Sequence, residues 1–266
     1  MDLGLRGRAA VVAGGSRGMG RATAESLAAE GCRVAVLART QSDLRETEDA
    51  LHELGSPDAL GLPVDLRDQG QVGDAFAFLD ERWGELNALV NAAGPIRTGR
   101  LDELSDEDWM RDYDLGVLTM VRAVRAALPL LRRATFARIV NLAAMSIRHQ
   151  SPGLVSYTAS KAALASASKN LARTLAPEGI IVNTICPGIV MSPVLADYVE
   201  RAGDPSLPEG PLEAAYAVIE RDFASSNDLG RVGLPEEVAS VAVFLCSEQA
   251  SFVVGAAVPV DGGSDF

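Results

Sequence analysis

Seven short apolar runs punctuate this 266-residue chain, and segments with helical spacing lie between them. The runs at 8–13, 33–38, 59–64, 88–91, 138–144, 180–185 and 257–261 read as buried strands. Helical spacing covers 21–30, 41–54, 69–83 and 156–177. Ser105-Asp106-Glu107-Asp108 caps a long helix expected to run to about residue 133, and Pro235-Glu236-Glu237 starts a last one. Strands that alternate with helices pair in parallel and are covered on both faces. The pattern therefore predicts an α/β fold, a single domain over 1–266 with one doubly wound parallel sheet of about seven strands. In such a sheet ligands bind at the carboxyl ends of the strands.

The stretch 191–229 breaks the alternation. It carries Pro193, Pro205, Pro208 and Pro211, many acids, and two short helical segments at 194–202 and 212–223. Leu212, Tyr216, Ile219 and Phe223 share one face of the second. The excursion reads as a flap covering the substrate.

Charge and cysteine usage narrow the function classes. A net charge of −12 argues against nucleic acid or an anionic membrane as partner. No apolar window is long enough to span a bilayer, and Met1-Asp2-Leu3-Gly4-Leu5 has no signal-peptide pattern, so a cytoplasmic protein is expected. Cys32, Cys186 and Cys246 are odd in number and far apart, which fits reduced, buried thiols. With His52 and His149 the only histidines, no metal site is expected.

The first strand opens into Gly14-Gly15-Ser16-Arg17-Gly18-Met19-Gly20, followed by a helix. This is the arrangement in which backbone N–H groups receive a pyrophosphate and predicts a Rossmann-type nucleotide site, with Gly14, Ser16, Arg17, Gly18, Met19 and Gly20 against the dinucleotide. The second strand ends in Leu37-Ala38-Arg39-Thr40, with no acid to accept from a ribose 2′-hydroxyl. Arg39 and Arg17 suit a 2′-phosphate, so NADP(H) is expected over NAD(H). Asp65 and Leu66 close the third strand, where adenine would lie. Asn91-Ala92-Ala93-Gly94 closes the fourth with small residues that permit close approach.

Tyr157 and Lys161 stand four apart in the next helical run and so share a face. Arginine is this chain's default cation, with 22 against two lysines, so a compact ammonium four residues after a tyrosine is notable. At roughly 4 Å and an effective dielectric of about 20, an ammonium favours a phenolate by about 4 kcal/mol before solvation is counted. The pair reads as a proton donor with its activator.

Taken together, the glycine loop, Asp65-Leu66, Asn91-Ala-Ala-Gly94, Tyr157-x-x-x-Lys161, Asn183-x-x-x-Pro187-Gly188 and Asp261-Gly262-Gly263 resemble the short-chain dehydrogenase/reductase family across nearly the whole chain. The resemblance implies that Tyr157 exchanges a proton with the substrate oxygen while hydride moves to or from a nicotinamide. Lys161 would lower the tyrosine's pKa and hold the nicotinamide ribose. Pro187 and Gly188 would belong to the cofactor site, and Ile189 and Ser192, just past that turn, would meet the carboxamide. It also implies a homo-oligomer, a tetramer or dimer, built on the tyrosine helix and the long helix before it. Ala162, Ala163, Ala165, Ala167 and Ala172 leave the tyrosine helix small-faced.

Besides Ala13, which stands where the family usually has a threonine, two of the family's catalytic positions depart. The substrate-orienting serine falls at Ala144, and the asparagine of the long helix falls at Gly116. Losing such a donor typically costs about 10²- to 10³-fold in rate. Ser146, on the same face as Ala144 if the strand stays extended, is the candidate substitute donor. Water beside Gly116, or a substrate such as a conjugated enone, are other ways to do without. The overall expectation is a reductase of a carbonyl or enone in a small organic molecule. The alternative is a non-redox dehydratase, isomerase or decarboxylase, or a cofactor-binding regulator, on the same fold. Lesser candidates are His149, read as a solvated loop residue, and Asp112, Tyr113 and Asp114, read as helix surface and packing. Met145, Met191 and Tyr198 are possible pocket walls, and Cys186 reads as an inert thiol.

Overall fold

The computed structural model describes residues 1–264 except Ile96, Gly203, Pro205, Ala224 and Ser225; the side chains of Ala202 and Phe223 are also outside the description. The expectations placed on Pro205 and on the Phe223 ring thus fall outside the described residues. The first half of the chain forms β1 (Ala9–Ala13), α1 (Gly18–Ala29), β2 (Arg33–Ala38), α2 (Gln41–Glu53), β3 (Ala59–Pro63), α3 (Gln69–Trp83) and β4 (Ala88–Asn91). Then come α4 (Asp106–Tyr113), a π turn (Asp114–Leu118), α5 (Thr119–Leu131), β5 (Ala137–Leu142) and α6 (Val155–Leu175). The chain closes with β6 (Ile180–Pro187), α7 (Pro193–Ala202), α8 (Pro211–Phe223), α9 (Pro235–Cys246) and β7 (Ala257–Val260).

All seven strands pair in parallel in the order β3-β2-β1-β4-β5-β6-β7. Side chains alternate between faces along each strand. Val11 and Ala13 therefore face a core closed by α3, α5 and α6, while Ala10 and Val12 face one closed by α1, α2 and α9. The strand order reverses between β1 and β4, where Ala13 lies opposite Asn91. That reversal opens the crevice in which doubly wound sheets bind ligands.

Local chemistry sets the helix ends. Asp68 caps α3 by accepting from the Gly70 and Gln71 N–H groups, and Gly84 ends it in the left-handed region at φ 70°. Ser105 and Asp108 form the predicted capping box of α4. The Glu237 side chain accepts from the Leu234 N–H ahead of α9 (2.7 Å) and pairs with Arg231 (2.7 Å), which holds its carboxyl down at about 2.

Two expectations need correction. The long helix to residue 133 is two α-helices joined by a π turn centred on Gly116. A Cβ at Gly116 would lie 2.6 Å from Ser160 Oγ and 2.9 Å from Ser160 Cβ. The turn thus forms where only glycine lets α6 approach. The fifth strand stops at Leu142, and Met145–Ile147 coil into a 3₁₀ turn after Ala144. In the excursion, α7 and α8 pack on each other, tied by the Tyr198 hydroxyl donating to Asp222 (2.9 Å). On α8 the deepest burial falls on Ala214, Ala215 and Val218, with Leu212, Tyr216 and Ile219 only half-buried. Small side chains let that face approach its neighbours more closely than the large ones would. Among the described residues no helix is long and apolar enough to cross a membrane.

Candidate active site

The glycine loop sits at the β1/β4 switch point. The N–H groups of Ala92 and Ala93 both donate to the Ala13 carbonyl (2.9 and 3.0 Å), which draws the two strand ends together. Gly14 has φ +83°, and a Cβ there would lie 2.6 Å from Ala93 N. A Cβ at Gly20 would lie 2.2 Å from the Gly14 carbonyl oxygen, so α1 enters the turn at backbone contact. No side chain caps α1 and no acid occupies its first turn. The positive end of the helix is left for an anion, and Gly18 presents it with open space where a Cβ would stand. A cavity of about 480 Å³ opens there, lined by Gly18, Met191, Ser192 and also by Arg21, Glu25 and Glu236. These features fit a dinucleotide pyrophosphate. Ser16 is buried, and the half-buried Met19 packs into the core beside β1.

At the adenosine end the structure differs from the sequence expectation in one respect. Arg39 is exposed and makes no hydrogen bond or ion pair among the described residues. Arg17, however, is held by Asp43 at 2.6 Å. That hydrogen bond raises the guanidinium's pKa and lowers the carboxyl's. A carboxylate thus does stand near the strand end. It was missed because it arrives from the first turn of α2, not from the strand itself. Asp65 is engaged by Arg67 (2.6 Å), whose hydrogen bonds pull it down to about 2. Leu66 is buried in the core, so only its backbone can face a ligand.

A buried polar chain runs from the end of β4 through β5 to α6, the helix that carries Tyr157 and Lys161. Asn91 Nδ2 donates to Asn141 (2.7 Å), Asn141 Nδ2 to Ser168 Oγ (2.8 Å), and Ser168 Oγ to the Leu164 carbonyl (2.8 Å). Asn91 Oδ1 is buried with no partner among the described residues. Lys161 is 5% exposed and donates to the Leu142 carbonyl (2.8 Å), with Nζ 6.0 Å from the centre of the Tyr157 ring. Gly94 makes room for it, since a Cβ there would lie 2.7 Å from Nζ. Burial lowers Lys161 to about 8 and raises Tyr157 to about 12. The expected depression of the tyrosine is therefore not what the site displays. The ammonium is spent on a carbonyl and stands over the ring, so desolvation of the phenol dominates. At neutral pH the pair is a protonated phenol beside a charged amine, an arrangement that donates a proton.

The strand does not stay extended to Ser146, which sits in the 3₁₀ turn packed on α6. Its hydroxyl is buried without a partner among the described residues. A buried hydroxyl left unpaired costs about 1–3 kcal/mol, so this one is available to a hydrogen-bonding partner. Ile189 and Ser192 follow Pro187-Gly188, but they line different cavities: Ile189 a separate one of about 280 Å³, and Ser192 the one at α1. His149 is exposed, Tyr113 is 44% exposed, and Tyr198 is bound to Asp222, so none joins Tyr157. Cys186 is buried.

Asp112, read with its neighbours as helix surface and packing, is a buried carboxylate. It accepts from Ser156 Oγ (2.5 Å) and from Arg97 Nε (3.3 Å), and Arg97 also meets Asp108 (2.7 Å). The sequence held a signal for this. Asp108 and Asp112 lie four apart on one helix face, where like charges repel and a cation between them relieves the repulsion.

A nucleotide crevice with a tyrosine and a lysine at its sheet end defines a dinucleotide-dependent oxidoreductase of the Rossmann class. Comparison with known proteins makes this specific. A family model described as enoyl-(acyl carrier protein) reductase matches residues 13–265, and the chain belongs to the short-chain dehydrogenase/reductase family. It is 35% identical to the short-chain reductase protein NovJ of Streptomyces niveus, over 96% of this chain and 92% of that one. It is 30% identical to the 3-oxoacyl-[acyl-carrier-protein] reductase FabG of Salmonella typhimurium, over 98% of each. L-sorbose reductase of Gluconobacter frateurii, solved with NADPH and L-sorbose, superposes with a TM-score of 0.92 at 31% identity, covering 100% of this chain and 99% of that one.

Proposed function

We propose that this protein is an NADP(H)-dependent reductase of a carbonyl or conjugated enone in a small organic molecule. The observation that carries the reading is the Tyr157–Lys161 pair, a half-buried phenol that desolvation holds above its ordinary pKa beside a buried amine, at the end of a sheet whose crevice suits a dinucleotide. The bound nicotinamide supplies hydride. Tyr157 donates the proton that quenches the developing alkoxide or enolate, and Lys161 stabilises the charge left on the phenol. Arg39 would meet a 2′-phosphate, and Arg17 would join by exchanging Asp43 for it. The relative solved with NADPH supports that preference. Helices α7 and α8 would cover the substrate. A homo-oligomer, tetramer or dimer, would form through α5 and α6, where Ala162 is exposed.

The test is loss of NADPH absorbance over a panel of ketones and conjugated enones. Consumption with at least one of them supports the reading. Tight cofactor binding with no consumption across the panel favours the non-redox alternative, for which the missing side chains at Ala144 and Gly116 are the argument. Within an active enzyme, Ser146→Ala is expected to lower kcat by about 10²-fold, as removal of an oxyanion donor does. An unchanged rate makes Ser146 a bystander.

The pH profile follows from Lys161. Its folded pKa lies below the ordinary 10.5, so the ammonium is present at neutrality and lost as pH rises through about 8. Because kcat/KM reports the free enzyme, kcat/KM for NADPH should fall with a one-proton slope above that point. Tyr157 stays protonated over the same range and contributes no second limb. A profile flat to about pH 10 would show that the charge on Lys161 is not used.

A further inference from the structure

Asp112 is 1% exposed and sits on α4, on the side that packs against α6. Its carboxylate accepts from Ser156 Oγ and from Arg97 Nε. Ser156 lies in the first turn of α6, immediately before Tyr157, and no side chain caps that helix. Arg97 lies in the connection that leaves β4 through Gly94, which itself lies against Lys161. Two residues beyond Arg97, the Gly99 N–H donates to the Gly153 carbonyl (2.8 Å), just ahead of α6. One buried charge therefore joins the loop after β4, the helix α4 and the turn that presents Tyr157.

Charge-assisted hydrogen bonds away from water are strong and direction-dependent. A general acid needs that control, because a misplacement of about 1 Å can cost about 10²-fold in rate. Neither Ala144 nor Gly116 offers a polar side chain to orient the substrate or the tyrosine.

We propose that Asp112 is the positioning residue of this site: shared between Ser156 and Arg97, it fixes the first turn of α6 and the loop from β4 together, and so aims the Tyr157 hydroxyl. Asp112 acts through Ser156 and does not itself touch the reacting atoms. The proposal rests on the reductase reading for its kinetic consequence and on the geometry alone for its mechanical one.

The experiment compares wild type with Ser156→Ala, Ser156→Thr and Asp112→Asn. It measures NADPH-dependent kcat, KM for NADPH, and hydrogen exchange of peptides spanning 94–100 and 150–158, with α1 as the internal reference. Ser156→Ala removes only a hydroxyl and keeps the test open if Asp112→Asn folds poorly. Both should lower kcat by about 10- to 10²-fold while KM for NADPH stays within about twofold. Exchange should quicken in both peptides together and not in α1. Ser156→Thr, which keeps the donor, should restore most of the rate. An unchanged kcat in a variant that has lost the bond, or unchanged exchange in both peptides, overturns the proposal. So does a threonine variant as slow as the alanine. If wild type consumes no NADPH with any substrate, the reductase reading falls by itself. Exchange then decides: joint loosening retains the positioning role, and unchanged protection ends it.

Discussion

Tyr157→Phe is expected to lower the reduction rate by about 10³-fold, within the range that a positioned general acid contributes. The change removes one hydroxyl and leaves the ring, so the packing of α6 and the place of Lys161 should survive. Desolvation raises the phenol above its ordinary pKa, so at neutral pH the wild-type enzyme carries this proton, and the phenylalanine variant has nothing to replace it. Nucleotide affinity should change by less than about threefold, because the glycine loop and the α1 terminus are untouched. The check is steady-state kcat beside NADPH binding measured by fluorescence. A variant retaining more than about a tenth of the wild-type rate would remove Tyr157 from the proton-transfer step.

Gly116→Asn, which writes the family's asparagine back into the chain, is expected to damage the protein and not to improve it. The backbone at 116 lies so close to α6 that a Cβ would stand 2.6 Å from Ser160 Oγ and 2.9 Å from its Cβ. Ser160 cannot easily yield, because its hydroxyl donates to the Tyr157 carbonyl (2.7 Å) and the residue is buried. Helix propensity favours a non-glycine residue by up to about 1 kcal/mol. Overpacking costs about 1–3 kcal/mol, and an amide buried without partners adds more. The net loss of about 3 kcal/mol should lower the melting temperature by about 10 °C. Activity should fall with it, since the displaced residue precedes Lys161. An asparagine variant as stable as wild type and faster would mean that the π turn can open to admit the side chain.

Much of the fold was legible because the chain obeys two simple periods. Runs such as Val34-Ala35-Val36-Leu37 are too short and too apolar for anything but central strands, and their limits agree with the structure to within two residues or so. The Gly14–Gly20 loop and the Tyr157–Lys161 spacing announced their positions because each needs only local geometry. What escaped depends on contacts between distant segments. The break at Gly116 comes from Ser160, far along the chain, and a single glycine in a helical pattern does not say what leans on it. The grip of Asp43 on Arg17 joins the first turn of α2 to the glycine loop, which the β1–β2 pairing brings together. The burial of Asp112 follows from α4 lying on α6, although the paired aspartates at 108 and 112 hinted that a cation would be called in. The desolvation that raises the tyrosine's pKa in the folded chain likewise depends on distant segments. The four-residue spacing gave proximity to Lys161, but the Leu142 carbonyl that engages the ammonium comes from β5.

The claim on which the rest depends is that hydride leaves a bound nicotinamide for the substrate while Tyr157 adds a proton. The most direct measurement uses NADPH carrying deuterium at the transferable position, with the first ketone or enone that the panel shows to be consumed, or otherwise converted. The expected result is one deuterium on the product carbon, none on its oxygen, and loss of product formation in Tyr157→Phe. Converted substrate with all the label still on the nucleotide would contradict the account and assign this protein to non-redox chemistry.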